Sequence, residues 1–416
     1  MARICLITPH HISFQPRTLR EADALFEAGH DVRVVCRQMD GALTGYDREI
    51  MNSRQWRLQP VDLHRNGPNR YGWMFDSVRS KLFDRLFNMG VKTVSTGARG
   101  YLKGFGRLKA LAMGEPTDWF IAHTQSTLPI AAMAARRWSA KLGFDCEDLL
   151  AEMRTDPSEI VNLLQRRYLP LCDYVSVPSQ CLGNRLAEAH KLNNLLVLHN
   201  VFPLHFAKDL LPPNNRVAKP VLRLHWFGQT VGEGRGVEEG IQALGLIGNK
   251  YENVELHLRG RLNQRSRLTL DNLSRQYRVT NKVIFHAPLP PQDLISSMDH
   301  FDVGLALERP DHGNYSLAAS NKLLSYLLAG LAVAATDTPG HREVMDQTPA
   351  AGFVYPANNP AALAARLSQW VDNRGALLAA QNAAWDAARS KFCWDIEKEK
   401  LLAVFQHGQQ YAIGTG

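Results

Sequence analysis

The segment 316–340 constrains the fold of this chain more than any other stretch of its sequence. It predicts a helix, because four leucines recur at helical spacing: Leu323, Leu324, Leu327 and Leu328. Gly330 follows where helices commonly end, since glycine takes the left-handed conformation without steric cost. The apolar run 332–336 then has the length of a buried strand. A phosphate site is predicted where Asn321 and Lys322 open the helix, since backbone N–H groups and a cation meet there. An ordinary buried helix and strand is the alternative.

Composition predicts a globular protein with more than one core. The chain has 416 residues, of which 45% are hydrophobic and 21% charged. Its longest apolar run, 323–335, is too short for a membrane span of about 20 residues. The first apolar run stops at His10 and His11, which predicts a strand rather than a signal peptide. The six cysteines include no Cys-x-x-Cys pair, so neither a zinc site nor a disulfide framework is predicted. We therefore expect a reduced, cytoplasmic protein without a metal or cofactor.

Positive charge is concentrated in the segment 64–110. It contains ten Lys or Arg residues against two Asp, an excess of eight charges that equals the formal net charge of the whole chain. Met74, Val78 and Leu82 repeat there at helical spacing, with aromatic and basic side chains between them. A basic amphipathic helix suits an anionic membrane surface, here the inner face of the membrane. The alternative is a helix packed on its own domain with a solvated basic face. No nucleic acid is expected as a partner, because no recognisable binding module is present.

Apolar runs of strand length alternate with helical patterns through the first half of the chain, which predicts βαβ units and a parallel sheet. The predicted strands are 3–8, 32–36, 119–123, 142–144, 174–178 and 195–198. His123 ends one of them and Asp145 follows another, so both are predicted at the sheet edge where such folds bind ligands. A histidine satisfied by nearby backbone, and an acidic but solvated helix N-terminus, are the alternatives.

The same alternation resumes after the proline-rich segment 202–220, which is predicted as a linker. The further predicted strands are 222–227, 254–258, 283–285, 303–307 and 332–336. The glycine-rich segment 228–236 falls between a strand and a helix, where backbone can approach a phosphate closely. The fold class predicted is therefore α/β, with two Rossmann-like domains, 1–201 and 221–390, facing a cleft.

Several of these segments resemble glycosyltransferase family 4, whose members are retaining enzymes of the GT-B fold. The run 320–337 is similar to the family's donor-site signature, in which Asn-Lys-Leu-Phe-Glu-Tyr precedes Ala-Gly and an apolar strand. The segment 15–35 resembles the family's first βα unit. The resemblance implies an N-terminal domain that binds the acceptor and a second domain that binds a nucleotide-sugar donor. It also implies that a helix in 391–416 crosses back onto the first domain.

The resemblance implies roles for individual residues. Those implied to bind the donor are Gly228, Gln229, Arg235, Gly236, Arg261, Tyr315, Ser316, Asn321, Lys322 and Ser325. Those implied to bind the acceptor are His10, His11, Arg17 and Glu147, and the candidate catalytic residues are His123 and Asp145. Cations and helix N-termini would stabilise the departing diphosphate in place of a metal. If the enzyme inverts the anomeric carbon instead, it needs a base, and His123 or Asp145 would supply it.

Three positions of the implied donor site depart from the family pattern. Gln229 stands where an arginine is usual, and Leu317 and Ser325 stand where paired glutamates are usual. A glutamate would accept two hydrogen bonds from ribose hydroxyls and Ser325 offers one, a loss of roughly 1–2 kcal/mol in a buried site. The favoured function is a retaining, metal-independent hexosyltransferase of surface polysaccharide biosynthesis, with a saccharide or lipid-linked saccharide as acceptor. A sugar-nucleotide epimerase of the same fold and a non-catalytic sugar-nucleotide binder are the alternatives.

Overall fold

The structure is a computed structural model that describes residues 1–152, 157–248, 251–310 and 313–407. The chain divides into two compact units. Unit 1 comprises residues 1–178, 182–198 and the C-terminal residues from 400 onward, and unit 2 comprises residues 179–181 and 199–399. The last part of the predicted C-terminal segment, 408–416, lies outside the described residues.

Unit 1 is built on a seven-stranded parallel sheet. Its strands are β1 (Arg3–Ile7), β2 (Asp31–Gln38), β3 (Arg57–Asp62), β4 (Trp119–His123), β5 (Lys141–Asp145), β6 (Tyr174–Val177) and β7 (Leu195–Val197). Its helices are α1 (Pro16–Glu27), α2 (Gly41–Met51), α3 (Arg70–Asn88), α4 (Val94–Tyr101), α5 (Phe105–Met113), α6 (Leu128–Trp138), α7 (Ser158–Tyr168) and most of α8 (Gln180–His190). The strand order is β3-β2-β1-β4-β5-β6-β7, and each strand pair is parallel.

The order of strands reverses between β1 and β4. From β1 the chain moves outward to β2 and β3, and it then returns to add β4 on the other side of β1. Ligands in open α/β sheets bind beyond the carboxyl ends of the strands at such a switch point. The residues that follow β1 and end β4 therefore lie where a ligand is expected in this unit.

Unit 2 is built on a six-stranded parallel sheet. Its strands are β8 (Leu222–Thr230), β9 (Val254–Arg261), β10 (Val283–His286), β11 (Val303–Ala306), β12 (Ala332–Thr336) and β13 (Gly352–Tyr355). Its helices are α9 (Val237–Gly248), α10 (Gln264–Gln276), α11 (Pro291–Ser296), α12 (Gly313–Leu317), α13 (Asn321–Ala329), α14 (Pro339–Met345), α15 (Pro360–Asp372) and α16 (Arg374–Ser390). The order β10-β9-β8-β11-β12-β13 reverses between β8 and β11, which places a second switch point there.

The predicted helix and strand of the segment 316–340 are confirmed as α13 and β12. The Ser320 side chain caps α13 by accepting a hydrogen bond from the Lys322 N–H, and Gly330 ends the helix with φ of 65°. Gly304 on β11 makes room for the Tyr326 ring, since an added Cβ would lie 2.0 Å from Cγ of that ring. The Tyr326 hydroxyl in turn donates to two carbonyl oxygens of the sheet, which fixes the helix on the strands.

Several predicted elements have different bounds in the structure. Strand β8 continues to Thr230, so the first residues of the predicted glycine-rich loop belong to a strand. The segment between β11 and α13, for which no helix was predicted, contains the short helix α12. The edge strands β3 and β13 were not predicted, because short edge strands that are half exposed lack a continuous apolar run.

The last described helix, α17 (Trp394–His407), begins in unit 2 and ends in unit 1. Within unit 1 the Phe405 ring lies 4.9 Å from the Trp119 ring and 6.3 Å from the Tyr174 ring, centroid to centroid. Aromatic rings at such distances attract each other in addition to burying apolar area. Among the helices that the structure describes, none has both the length and the apolar character required to cross a bilayer.

Candidate functional site

The glycine-rich segment of unit 2 meets the end of β11 at the switch point. Gly234 and Gly236 both have positive φ, 74° and 79°. A Cβ added at Gly236 would lie 2.2 Å from the Leu307 carbonyl oxygen, whereas one added at Gly234 would meet no atom within 4 Å. Gly236 is therefore required by a close backbone approach, and this approach sets the position of the N-terminus of α9.

Arg235 stands between these two glycines and faces solvent. Its guanidinium carbon lies 5.8 Å from the centre of the Tyr315 ring, which is itself 40% exposed. The predicted donor residues on the loop and on α12 are thus neighbours, although they are far apart in sequence. A solvated cation beside an aromatic face can bind a phosphate while it stacks on the ring.

Lys322, the cation that the sequence placed at the start of α13, is held by a carboxylate that the sequence analysis did not single out. Its Nζ lies 2.6 Å from Oε1 of Glu308, and the Ser320 hydroxyl donates to the same oxygen at 2.7 Å. The second carboxylate oxygen of Glu308 lies 3.2 Å from His341 Nε2. Lys322 Nζ also lies 5.4 Å from the centre of the Trp226 ring. This cluster fixes the direction of the Lys322 side chain before any ligand binds.

The Glu308 carboxylate is ionised in this surrounding. Burial is the largest single influence and by itself would raise the pKa of Glu308, but attraction to Lys322 and the contact with His341 outweigh it. The pKa of Glu308 is therefore held well below its usual value. Glu308 lies two residues after the end of β11, and the Thr336 hydroxyl at the end of β12 donates to its backbone carbonyl at 2.6 Å. The Lys322–Glu308 pair therefore belongs to the carboxyl edge of the sheet.

The other predicted donor residues lie around this edge with different exposures. Asn321, Gln229 and Arg261 are exposed, whereas Ser316 and Ser325 are buried. The Ser325 hydroxyl donates to the Asn321 carbonyl at 2.7 Å, and the Ser316 hydroxyl donates to the Gly313 carbonyl at 2.9 Å. Both serine hydroxyls are therefore already engaged in helix backbone contacts.

In unit 1 the two candidate catalytic residues are brought together at the ends of β4 and β5. His123 and Asp145 are both fully buried, and His123 Nδ1 lies 3.3 Å from Asp145 Oδ2. On its other side His123 Nε2 lies 3.2 Å from Oε2 of Glu21, a residue of α1. These are close charge contacts between an imidazole and two carboxylates.

Arg17, an expected acceptor-binding residue in the first turn of α1, holds the Asp145 carboxylate. Its Nε and Nη2 donate to the two oxygens of Asp145 at 2.8 and 2.6 Å, and the Ser176 hydroxyl donates to the same carboxylate at 2.6 Å. Bidentate contacts of this kind are among the stronger hydrogen-bonded ion pairs. Glu147, also expected to bind the acceptor, is partly exposed, and its Oε1 lies 3.9 Å from His123 Nδ1.

The cluster keeps His123 protonated. Burial is the largest single influence and by itself would lower the pKa of His123, but the combined attraction of Glu21, Asp145 and Glu147 outweighs it. The pKa of His123 is therefore raised well above its usual value. For Asp145 burial is opposed by Arg17 and His123, which together hold the pKa of Asp145 below its usual range.

The remaining expected acceptor residues, His10 and His11, follow β1. His10 is exposed, whereas His11 is buried and both of its ring nitrogens have partners. Its Nδ1 lies 2.8 Å from Asp47 Oδ2, and its Nε2 accepts from the Met39 N–H at 2.7 Å. These contacts fix the loop after β1 against the start of α2.

Glu21, His123 and Asp145 also form a group whose ligand atoms all lie within 4.8 Å of one another, close enough to hold a metal ion. The surrounding chemistry favours an ion-pair cluster instead. Both oxygens of Asp145 accept from the Arg17 guanidinium, and one of them also accepts from the Ser176 hydroxyl, so this carboxylate is already engaged.

Two residues of these clusters, Glu21 and Glu308, were missed in the sequence. Each had a signal. Glu21 lies four residues after Arg17 on the first helix, and so shares its face. Glu308 directly follows the predicted strand 303–307, at the carboxyl edge of the sheet where ligands bind.

Comparison with known proteins shows which family and which solved structures this chain is similar to. Residues 222–373 match the family model described as "Glycosyl transferases group 1". No curated protein sequence matches the chain. Among solved structures, sucrose-phosphate synthase from Thermosynechococcus elongatus is 14% identical, with a TM-score of 0.69 over 98% of both chains.

Two further solved structures are similar over nearly their whole length. Anabaena HepE, solved in complex with UDP and glucose, is 14% identical, with a TM-score of 0.67 over 97% of this chain and 99% of that one. A glycosyltransferase from Rickettsia africae is 14% identical, with a TM-score of 0.65 over 97% of both chains. The chain therefore has the GT-B fold, and its residues 222–373 are similar to the group 1 glycosyltransferases, in agreement with the glycosyltransferase resemblance of the sequence.

Proposed function

We propose that this protein is a glycosyltransferase that moves a hexose from a nucleotide-diphosphate sugar to a saccharide acceptor. The observation that carries the proposal is the cluster at the unit 2 switch point. There the glycine-rich loop, the exposed cation Arg235 and the Lys322–Glu308 pair surround the carboxyl ends of β8 and β11. Backbone N–H groups and oriented cations at this edge suit a diphosphate.

The diphosphate is the leaving group, so the chemistry depends on stabilising the charge that develops on it. Arg235 and Lys322 would supply two cations, and the N-terminus of α9 would supply backbone N–H groups. Lys322 needs no reorganisation for this task, because Glu308 already holds its side chain and the Ser320 hydroxyl caps the first turn of α13. Uridine is the first nucleotide to test, since HepE, a structural relative, was solved with UDP.

We propose that the reaction is retaining and metal-independent, with no cofactor besides the nucleotide sugar. The two cations are the support for metal independence, because they fill the role that a divalent ion has at a diphosphate. Retention is supported by the similarity of the run 320–337 to the signature of a retaining family.

The roles assigned to His123, Asp145 and the four acceptor residues stay predictions. A catalytic role for His123 requires the buried cluster around it to open to the acceptor, since it is fully buried here. His123→Gln should lower kcat by about 100-fold or more if His123 contacts the acceptor and takes part in proton transfer. A loss of stability with kcat retained would make the cluster structural.

We also propose that the acceptor is a saccharide, free or lipid-linked, and that the protein works at the inner face of a membrane in surface polysaccharide synthesis. The support is in the segment 64–110, whose basic helix α3 exposes apolar side chains. Such a surface keeps an enzyme close to an acceptor that is anchored in lipid.

A thermal-shift screen of the pure protein tests the donor site. UDP, GDP, dTDP, CMP and ADP would be compared with their sugar conjugates. A ligand at about 100 times its dissociation constant should add about 2.7 kcal/mol of stability. A shift with one nucleotide family identifies the donor. No shift with any of them would contradict the proposed donor site.

Nucleotide release then separates a transferase from the two alternatives. A transferase releases nucleotide diphosphate in proportion to the acceptor supplied. An epimerase converts the sugar nucleotide without an acceptor, and a non-catalytic binder gives a thermal shift without turnover. Nucleotide-sugar conversion that is independent of every acceptor would therefore contradict the proposal.

A further inference from the structure

Helix α3 of unit 1 exposes a continuous apolar face. Five large apolar side chains on it, each between 53% and 66% exposed, form what we call the outer stripe: Tyr71, Met74, Phe75, Val78 and Leu82. Their spacing places them on one face of a helix. Met89, 80% exposed, continues the stripe just beyond the last turn. Contiguous exposed apolar surface of this kind marks an interaction site.

Three polar residues of α3, Asp76, Ser77 and Ser80, face the opposite way, into unit 1. Asp76 and Ser77 are buried. Asp76 accepts from Arg107 Nε at 2.7 Å, and the Ser80 hydroxyl donates to the Gly100 carbonyl at 2.8 Å. The inner face of α3 thus carries polar side chains beside the buried Phe87, whereas five large apolar side chains are exposed, unlike an ordinary surface helix.

Close packing on α4 fixes this orientation. A Cβ added at Gly100 would lie 2.8 Å from the backbone nitrogen of Asp84, so the two helices touch backbone to backbone. Rolling α3 to bury the outer stripe would break the Asp76–Arg107 ion pair and bury other polar groups without partners. Helix α3 does pack on its own domain, as the alternative from the sequence had it, but Met74, Val78 and Leu82 stay exposed instead of packing there.

Cations border the outer stripe. On a helical projection Lys81 and Arg85 lie along one side of it and Arg79 along the other, while Asp84 lies on the far side of the helix. Lys81 and Arg85 are exposed. Lysine and arginine place their charge at a lipid headgroup while their stems cover apolar surface. An apolar stripe with a basic border is complementary to an anionic bilayer.

We propose that α3 lies flat on an anionic lipid bilayer, with the outer stripe inserted at the boundary of headgroups and acyl chains. Its 19 residues give a length of about 28 Å at about 1.5 Å per residue. Interfacial helices of this kind bury their apolar face by about 5–10 Å. A second copy of this chain is a poorer occupant, because a two-fold contact would bring the same basic borders against each other.

Vesicle co-sedimentation of the full chain tests the proposal. Vesicles of equal parts phosphatidylcholine and phosphatidylglycerol would be compared with phosphatidylcholine alone, at low and at high salt. The protein should bind the anionic vesicles and lose most of this binding at high salt. Lys81→Ser/Arg85→Ser should lower the partition coefficient by about 25-fold, which is about fivefold per cation.

A second variant tests the contribution of the outer stripe to vesicle binding. Phe75→Ser/Val78→Ser/Leu82→Ser should lower the partition coefficient by about 100-fold, since three exposed side chains lose their insertion. Because these side chains are exposed, its thermal unfolding and its shift with nucleotide should match those of the wild type. Leu268→Ser, at a 55% exposed leucine on α10 of unit 2, is the matched control and should bind like the wild type.

Binding of the triple variant at the wild-type level would overturn the proposal. So would equal, salt-independent binding to both kinds of vesicle. A concentration-dependent dimer that the triple variant loses, without any vesicle binding, would assign the outer stripe to a second copy of the chain. None of these outcomes bears on the nucleotide shift, so failure of this proposal and failure of the proposed donor site are distinguishable.

Discussion

Lys322 Nζ lies 2.6 Å from the Glu308 carboxylate. This contact joins the first turn of α13 to the segment that follows β11. Both side chains are mostly buried. A buried carboxylate that loses its cation is costly, and a cation held in one direction is prepared to bind an anion. The pair thus has consequences for both stability and ligand binding.

Lys322→Ala should lower the free energy of unfolding by about 3–5 kcal/mol at neutral pH, because it leaves the ionised Glu308 buried with less compensation. It should also weaken binding of a nucleotide diphosphate by about 1.5–3 kcal/mol. Denaturant unfolding and calorimetric titration measure the two effects. The double variant Lys322→Ala/Glu308→Ala should lose less stability than the two single variants summed. Additive losses would show that the pair is not coupled.

Arg235→Ala should weaken nucleotide diphosphate binding by about 1.5–3 kcal/mol while leaving the midpoint of thermal unfolding nearly unchanged, since Arg235 is exposed. Arg366→Ala is the matched control, because it too removes an exposed arginine that lies over an aromatic ring, 4.9 Å from the centre of Phe353. Equal effects of the two substitutions on titrated affinity would remove Arg235 from the donor site.

A comparison of Gly236→Ala with Gly234→Ala separates the cost of backbone strain from the cost of a steric clash with Leu307. Both glycines have positive φ, so each substitution should cost about 1–2 kcal/mol in conformational strain. Only Gly236→Ala forces a Cβ against the Leu307 carbonyl, which should add about 1–3 kcal/mol. Chemical denaturation of both variants checks the difference. Equal losses would mean that the loop moves away from β11 without cost.

His123 makes stability depend on pH. Because its folded pKa is raised above the unfolded value of 6.5, its contribution is fully present below pH 6.5 and is lost as pH rises through the folded pKa. Each unit by which the pKa is raised contributes about 1.4 kcal/mol. The difference in unfolding free energy between wild type and His123→Gln should therefore shrink as pH rises above 6.5.

The measurement is a series of denaturant unfolding curves for the two proteins from about pH 6 to about pH 9.5. His300→Gln is the control, because His300 is an exposed histidine whose side chain has 73% accessibility. This variant removes a histidine but leaves the buried cluster intact, so the pH dependence contributed by His123 should be retained in it. Parallel curves for His123→Gln and the wild type would mean that His123 is neutral in the folded protein.

Much of the fold could be predicted from the sequence because local pattern determines it. Buried parallel strands are continuous apolar runs, so β4 and β12 were predicted to the residue. The end of α13 at Gly330 could be predicted because it depends on the left-handed backbone conformation of that one residue, which glycine adopts without steric cost. His123 and Asp145 were placed at strand ends, and strand ends share one edge in a parallel sheet.

Other features depend on which segments the tertiary structure brings together. Glu308 and Lys322, or Arg17 and Asp145, meet only because strand order places their segments side by side, and chain order does not encode strand order. The periodicity of α3 showed that one face is apolar. Whether that face points inward was decided by Asp76, Ser80 and Gly100, whose partners lie on other helices. The sequence determined the amphipathic pattern, and packing determined its direction.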